Sequence, residues 1–187
     1  MHGFESLIAE LLETEGYWVR RGFKVRLTKE DKRKIGRPSS PRWEIDLLAY
    51  CAPKNLVLAV ECKSYLDSSG VDLGDLQGGR YAERYKLFTE PGLREVVFRC
   101  LASNLVESGL CRAKPTIHLA LAAGRVRSDP AALGAYFQKN GWLLFDPDWV
   151  REHLKATSDG SYTDSVAVMV AKLLLRHRRP IRANDTG

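Results

Sequence analysis

Residues 43–63 read WEIDLLAYCAPKNLVLAVECK, and these positions decide the fold. Two apolar runs, Trp43 to Tyr50 and Leu56 to Cys62, flank Ala52-Pro53-Lys54-Asn55, the pattern of two strands joined by a hairpin turn. Asp46 and Glu61 are polar interruptions within them. A turn centred between Pro53 and Lys54 sets Asp46 opposite Glu61 and Glu44 opposite Lys63. Period-2 alternation then puts Glu44, Asp46, Glu61 and Lys63 on one face, with Ile45, Leu47, Val60 and Cys62 on the other. Opposed Cβ atoms lie about 4.5 to 5.5 Å apart, where like charges repel, so something cationic belongs between the carboxylates. A hard divalent ion such as Mg²⁺ takes one or two protein carboxylates and keeps several waters. The alternative is a solvated network in which both acids pair with Lys63 and nearby arginines.

Working outward, Phe4, Leu7, Ile8, Leu11 and Leu12 follow helical spacing and predict an amphipathic helix ending near Gly16. Tyr17, Val19, Phe23, Val25 and Leu27 alternate with Arg20, Lys24 and Arg26 as a half-buried strand with a basic outer face. Thr28 to Pro41, rich in Gly, Pro and Ser at its end, is expected to be a flexible loop. A helix is expected from about Leu73 to Phe88. Gly78 and Gly79 would each cost about 1 kcal/mol there, so its start is drawn toward Gly79. Leu93 to Val106 has helical periodicity, with Gly109 as a stop. Thr116 to Ala122 and Trp142 to Phe145 read as short strands, and Asp129-Pro130 opens a helix between them. Asp148 to Lys155 and Ser165 to His177 read as closing helices. The order predicts an α/β fold: a central mixed β-sheet flanked by helices, αβββαβ, with extra C-terminal helices.

The chain has 187 residues, which suits one domain over residues 1–187, with 178–187 as a flexible basic tail. Apolar content of 44% and charged content of 28% exclude intrinsic disorder for most of it. The net charge of +6 is unevenly spread. Between Arg20 and Arg42 ten basic residues face only Glu30 and Asp31, a local +8; Ala171 to Gly187 adds +4, leaving −6 elsewhere. Such segregation points to a polyanion-facing surface, the other reading being a solvated loop and tail. Four cysteines, Cys51, Cys62, Cys100 and Cys111, show no CxxC pair and no zinc spacing, which fits a reducing, cytoplasmic setting with buried free thiols. Glu5 and Glu10 in the first apolar stretch argue against a signal peptide. Val166 to Leu175, interrupted by Lys172, is too short to span a bilayer, so no membrane is expected. The histidines are scattered, and no GxxxxGK[ST] loop implies ATP.

Ile45-Asp46, followed after fifteen positions by Glu61-Cys62-Lys63 behind an apolar run, resembles the PD-(D/E)xK nuclease superfamily. With Phe4-Glu5 on the first helix and Gly16-Tyr17-Trp18-Val19 after it, the chain is most similar to the Mrr-like restriction endonuclease branch. The resemblance covers roughly residues 4 to 88 and departs from the classical motif in having Ile45 where that motif has Pro. It implies a restriction-endonuclease-like core and a divalent-metal-dependent DNA endonuclease. Asp46, Glu61 and the Cys62 carbonyl would hold Mg²⁺ or Mn²⁺, Lys63 would position the attacking water, and Glu5 would be an accessory acid. For Glu5 a solvated first-turn acid is the other reading. Gln77 and Tyr81, four apart, resemble the Gln-x-x-x-Tyr motif of the RecB-type exonuclease branch, or else simply pack a helix on the sheet.

Phosphate contacts are expected from Lys29, Lys32, Arg33, Lys34, Arg37 and Arg42, and further nucleic-acid contacts from Arg80 and Tyr81. The implied partners are DNA, a second copy in a homodimer, and a partner subunit supplying specificity. The implied role lies in restriction or phage defence. Competing readings are a junction-resolving nuclease and a non-catalytic nucleic-acid-binding subunit.

Overall fold

A computed structural model describes residues 3–39, 42–159 and 165–175. The chain divides into two compact units, Met1–Val150 and Arg151–Gly187. The basic tail at 178–187 lies outside the described residues.

The first unit is an α/β fold around a five-stranded mixed sheet of order β1-β2-β3-β4-β5. β1 (Trp18–Val25), β2 (Trp43–Cys51) and β3 (Leu56–Lys63) run antiparallel, and β4 (Thr116–Ala123) and β5 (Leu143–Phe145) continue parallel to β3. The switch follows from connection length: β2 and β3 share a tight turn, whereas β3 reaches β4 through helices, as a parallel crossover requires. α1 (Gly3–Thr14) packs against β1, β2 and β3 and buries Ile8, Leu11 and Leu12, the stripe set by its spacing. The other face carries the main core. Val57, Ala59, Leu119 and Leu121 meet Leu93, Val97 and Leu101 of α5 (Pro91–Glu107), and Leu133 and Phe137 of α6 (Pro130–Lys139). Among the described residues no helix is long and apolar enough to cross a membrane.

The hairpin register is the expected one, with Leu47 opposite Val60 and Cys51 opposite Leu56. The faces differ from expectation. Ile45 and Leu48, three apart, both belong to the main core cluster, so alternation along β2 breaks between them. The break has a partner on β1: Gly22, at φ 59°, and Asp46 are both missing from an otherwise continuous register. A positive φ inside a strand is glycine's province and marks a bulge-like kink. Glu44, expected opposite Lys63, therefore reaches Lys24 on β1 at 3.9 Å.

Two further expectations are corrected. Thr28–Pro41 is not simply a loop but contains α2 (Lys29–Lys34), closed by a capping box in which Thr28 and Asp31 bond each other's backbone N–H. The helix expected from Leu73 to Phe88 is three short pieces: α3 (Leu73–Leu76), a 3₁₀ turn (Ala82–Tyr85) and α4 (Lys86–Thr89). Gly78, at φ 98°, breaks the helical path, so tertiary placement overrides the apolar spacing.

In the second unit, the end of α7 (Pro147–Asp159) meets α8 (Val166–Leu175), where the Lys172 ammonium donates to the Ser158 carbonyl at 3.2 Å.

Candidate active site

The site forms where two strands part. β2 follows β1 out to Val25–Trp43, and β3 follows β4 out to Lys63–Ala123, but pairing between β2 and β3 stops at Leu47–Val60. Asp46 and Glu61 are the next residues on each arm of this fork. Asp46 fills it: its Oδ2 accepts the Cys62 backbone N–H at 2.7 Å, replacing the ladder bond that the parting strands cannot make. In a strand, the N–H and C=O of one residue point to the same edge, so the Cys62 carbonyl also faces the fork. The neighbouring Lys63 carbonyl points the other way and accepts the Gly124 N–H at 2.9 Å.

Glu61 and Lys63 fall by alternation on the same face of β3, and the Lys63 Nζ stands 3.7 Å from Glu61 Oε2. Both side chains are largely covered, at 16% and 22% exposure. Burial pushes the Glu61 carboxyl up to about 7, the negative Asp46 adds to the rise, and Lys63 only partly offsets it. This is a carboxyl lacking enough positive charge. The Cys62 thiol is driven well above its ordinary value by burial first, then by the charges of Asp46, Glu5 and Glu61. It is therefore a poor thiolate ligand, and the useful donor at this position is the backbone carbonyl.

Phe4, Glu5, Asp46, Cys62, Lys63, Ser64 and Tyr65 line a cleft of about 320 Å³. The first turn of α1 thus brings Glu5 to the two strands. Among the described residues no three His, Cys, Asp or Glu side chains cluster closely enough to hold a metal ion by themselves. The donors at the fork are all oxygen: the second oxygen of Asp46, the Cys62 carbonyl and the carboxylate of Glu61, which lies beside the cleft rather than lining it. Such a set suits a hard ion that keeps much of its water, and fits Mg²⁺ or Mn²⁺ better than a softer metal.

The expected nucleic-acid contacts divide. Lys29, Arg33 and Arg42 are exposed, Lys32 is half-buried, and Lys34 pairs with Glu30 at 2.8 Å. Arg37 is already committed, donating to both oxygens of Glu90 at 2.8 and 2.9 Å and lying over the Trp43 ring. α2 is held firmly because buried Asp31 accepts from Arg99 at 2.7 Å and from the Thr28 hydroxyl. It sits between the end of β1 and the start of β2, the end of the sheet where the fork opens.

Gln77 is exposed on the turn after α3 and does not share a helical face with Tyr81. Tyr81 instead has Arg80 at 5.2 Å and Arg84 at 4.4 Å from its ring centre. Sequence reasoning missed Tyr65, which has φ 44° and lies beside the buried Tyr85, and Gly124, which packs against the Ser64 carbonyl. The signal for Tyr65 was only its place two residues past Lys63; nothing local marks Gly124.

No family model, curated protein or solved structure matches this chain.

Proposed function

We propose that this protein is a divalent-metal-dependent nuclease of the PD-(D/E)xK type that hydrolyses phosphodiester bonds in DNA. The observation that carries the reading is the fork: Asp46, the Cys62 carbonyl, Glu61 and Lys63 converge at one strand end, and Glu61 is pushed up to about 7 by burial first and by the neighbouring Asp46 second. The strand order, with an antiparallel β1-β2-β3 followed by a parallel crossover to β4, agrees with a restriction-endonuclease-like core.

In this account Asp46, Glu61 and the Cys62 carbonyl bind Mg²⁺ or Mn²⁺, which supplies Lewis-acid polarisation of the phosphate and a more acidic bound water. Lys63 holds the attacking water and stabilises the negative charge that develops on the phosphoryl oxygens. Glu5, on the opposite wall, orients water in the cleft as an accessory acid. Lys29, Lys32, Arg33 and Arg42 bind backbone phosphates, a sequence-independent and salt-sensitive contribution. The products are a 5′-phosphate and a 3′-hydroxyl. Action as a homodimer, or with a partner subunit that reads sequence, and a cytoplasmic role in restriction or phage defence belong to the same proposal. Gln77 has no part in this mechanism, since the helix that a Gln-x-x-x-Tyr face needs is broken at Gly78.

The test is titration of the protein with Mn²⁺ by calorimetry, alongside Asp46→Asn and Glu61→Gln, with cleavage of plasmid DNA followed in the same samples. The proposal requires binding that both variants weaken and cleavage that EDTA abolishes. Intact binding in both variants would remove these residues from the metal site.

A further inference from the structure

Beside the cleft, the broken helix leaves an arrangement that the nuclease reading does not itself demand. The Tyr81 ring carries two guanidinium groups, Arg84 at 4.4 Å and Arg80 at 5.2 Å from its centre. Two like charges on one ring repel. The nearest offsetting contact is Glu83 at 4.0 Å from Arg84, a pair whose side chains are both more than half exposed and therefore weak. The group is nevertheless fixed in place: the Tyr81 N–H donates to Asp75 Oδ1 at 3.0 Å. It also adjoins the cleft, because the next turn supplies buried Tyr85, which lies near Arg84 and Asp75 on one side and the cleft residue Tyr65 on the other. A row of planar and cationic groups thus runs from the cleft wall through Tyr65, Tyr85, Arg84 and Tyr81 to exposed Arg80.

A guanidinium plane resting on an aromatic ring does two things: it attracts phosphate, and it offers a flat surface on which a base stacks. Bases in a duplex already stack on one another and present only their edges, whereas unpaired bases have free faces. We propose that Arg80, Tyr81 and Arg84 form a stacking platform for unpaired nucleotides, so that the strand entering the cleft does so single-stranded, at a free end, a flap or a locally opened site. This rests on the nuclease reading and assigns the form of its substrate. α2 and Arg42 serve phosphates of either form: the ring beside them, half-buried Trp43, is already covered by Arg37, which Glu90 holds in place.

The experiment measures binding, not cleavage, by fluorescence anisotropy in EDTA at one fixed salt concentration. A labelled single-stranded oligonucleotide is compared with the same strand in a blunt duplex. Wild type is expected to favour the single strand by roughly tenfold, the scale of one or two stacked bases. The double variant Arg80→Lys/Arg84→Lys keeps both charges and removes both planes. It should hold duplex affinity within about twofold and lose most of the single-strand preference. Equal or tighter duplex binding by wild type, or an undiminished preference in the lysine variant, overturns the platform while leaving the nuclease reading intact. Failure to bind either form overturns both. Circular dichroism of the variant checks that its fold is unchanged.

Discussion

Asp46 accepts the backbone N–H of Cys62 at 2.7 Å across the point where β2 and β3 separate. One carboxylate therefore serves two purposes: it ends the hairpin ladder, and it presents its second oxygen to the cleft. Asp46→Asn keeps an acceptor for the amide but removes the charge, while Asp46→Ala removes both. The alanine variant should lose about 1 to 2 kcal/mol in urea unfolding, the cost of leaving a half-buried amide unsatisfied. The asparagine variant should lose under half of that, and both should be inactive in DNA cleavage. Equal stability losses would mean that the hydrogen bond does not matter to the fold.

Glu61 makes stability depend on pH in an unusual direction. Its carboxyl titrates near 7 in the folded chain against an ordinary value of 4.5, so between those values the folded state binds the extra proton. The neutral-carboxyl advantage is complete below about 4.5 and lost as pH rises through about 7, at most about 3 kcal/mol. Unfolding of wild type and Glu61→Gln in EDTA at pH 5 and pH 8 isolates this effect. The glutamine variant should gain on wild type at the higher pH. Divalent metal should reverse the loss in wild type alone.

Gly124 shows how the site is held from behind. A Cβ there would meet the Ser64 carbonyl, and the Gly124 N–H fixes the Lys63 carbonyl at 2.9 Å. Gly124→Ala should cost about 1 to 3 kcal/mol through overpacking and lower cleavage by shifting Lys63. Gly134→Ala, inside α6 with open space around it, is the control. It should stabilise by about 0.5 to 1 kcal/mol without altering cleavage.

Asp31 anchors the basic helix α2. Arg99 first, then Thr28, hold its carboxyl well below the ordinary carboxylate range, so this contribution is fully present above that range and is lost only as pH falls below it toward the depressed folded value. Asp31→Ala also removes the capping box, and should destabilise by about 1 to 3 kcal/mol and weaken DNA binding with little change in Mn²⁺ affinity. Equal weakening of metal binding would show that α2 and the fork are not separable.

The hairpin was legible because two apolar runs, a proline turn and two interrupting acids fixed the register of Asp46 and Glu61 from local information. The faces were not, because the kink at Asp46 depends on Gly22 of another strand, a pairing no local pattern contains. The helix expected at Leu73–Phe88 failed for a related reason. Apolar spacing was satisfied by three short pieces folding back on the core, and Gly78 allowed the break. α2 was missed because the Gly and Pro residues after it read as loop. Its capping signal, Thr28 followed by Asp31, was present in the sequence.

The most direct test compares wild type with Lys63→Ala on supercoiled, linear, single-stranded and branched DNA, in Mg²⁺ and in EDTA. The account predicts cleavage of at least one form by wild type in Mg²⁺, none in EDTA, and a loss of at least about a hundredfold in the variant, whose fold and DNA binding persist. Undiminished cleavage by Lys63→Ala, or DNA of every form left intact by wild type in Mg²⁺, would contradict it.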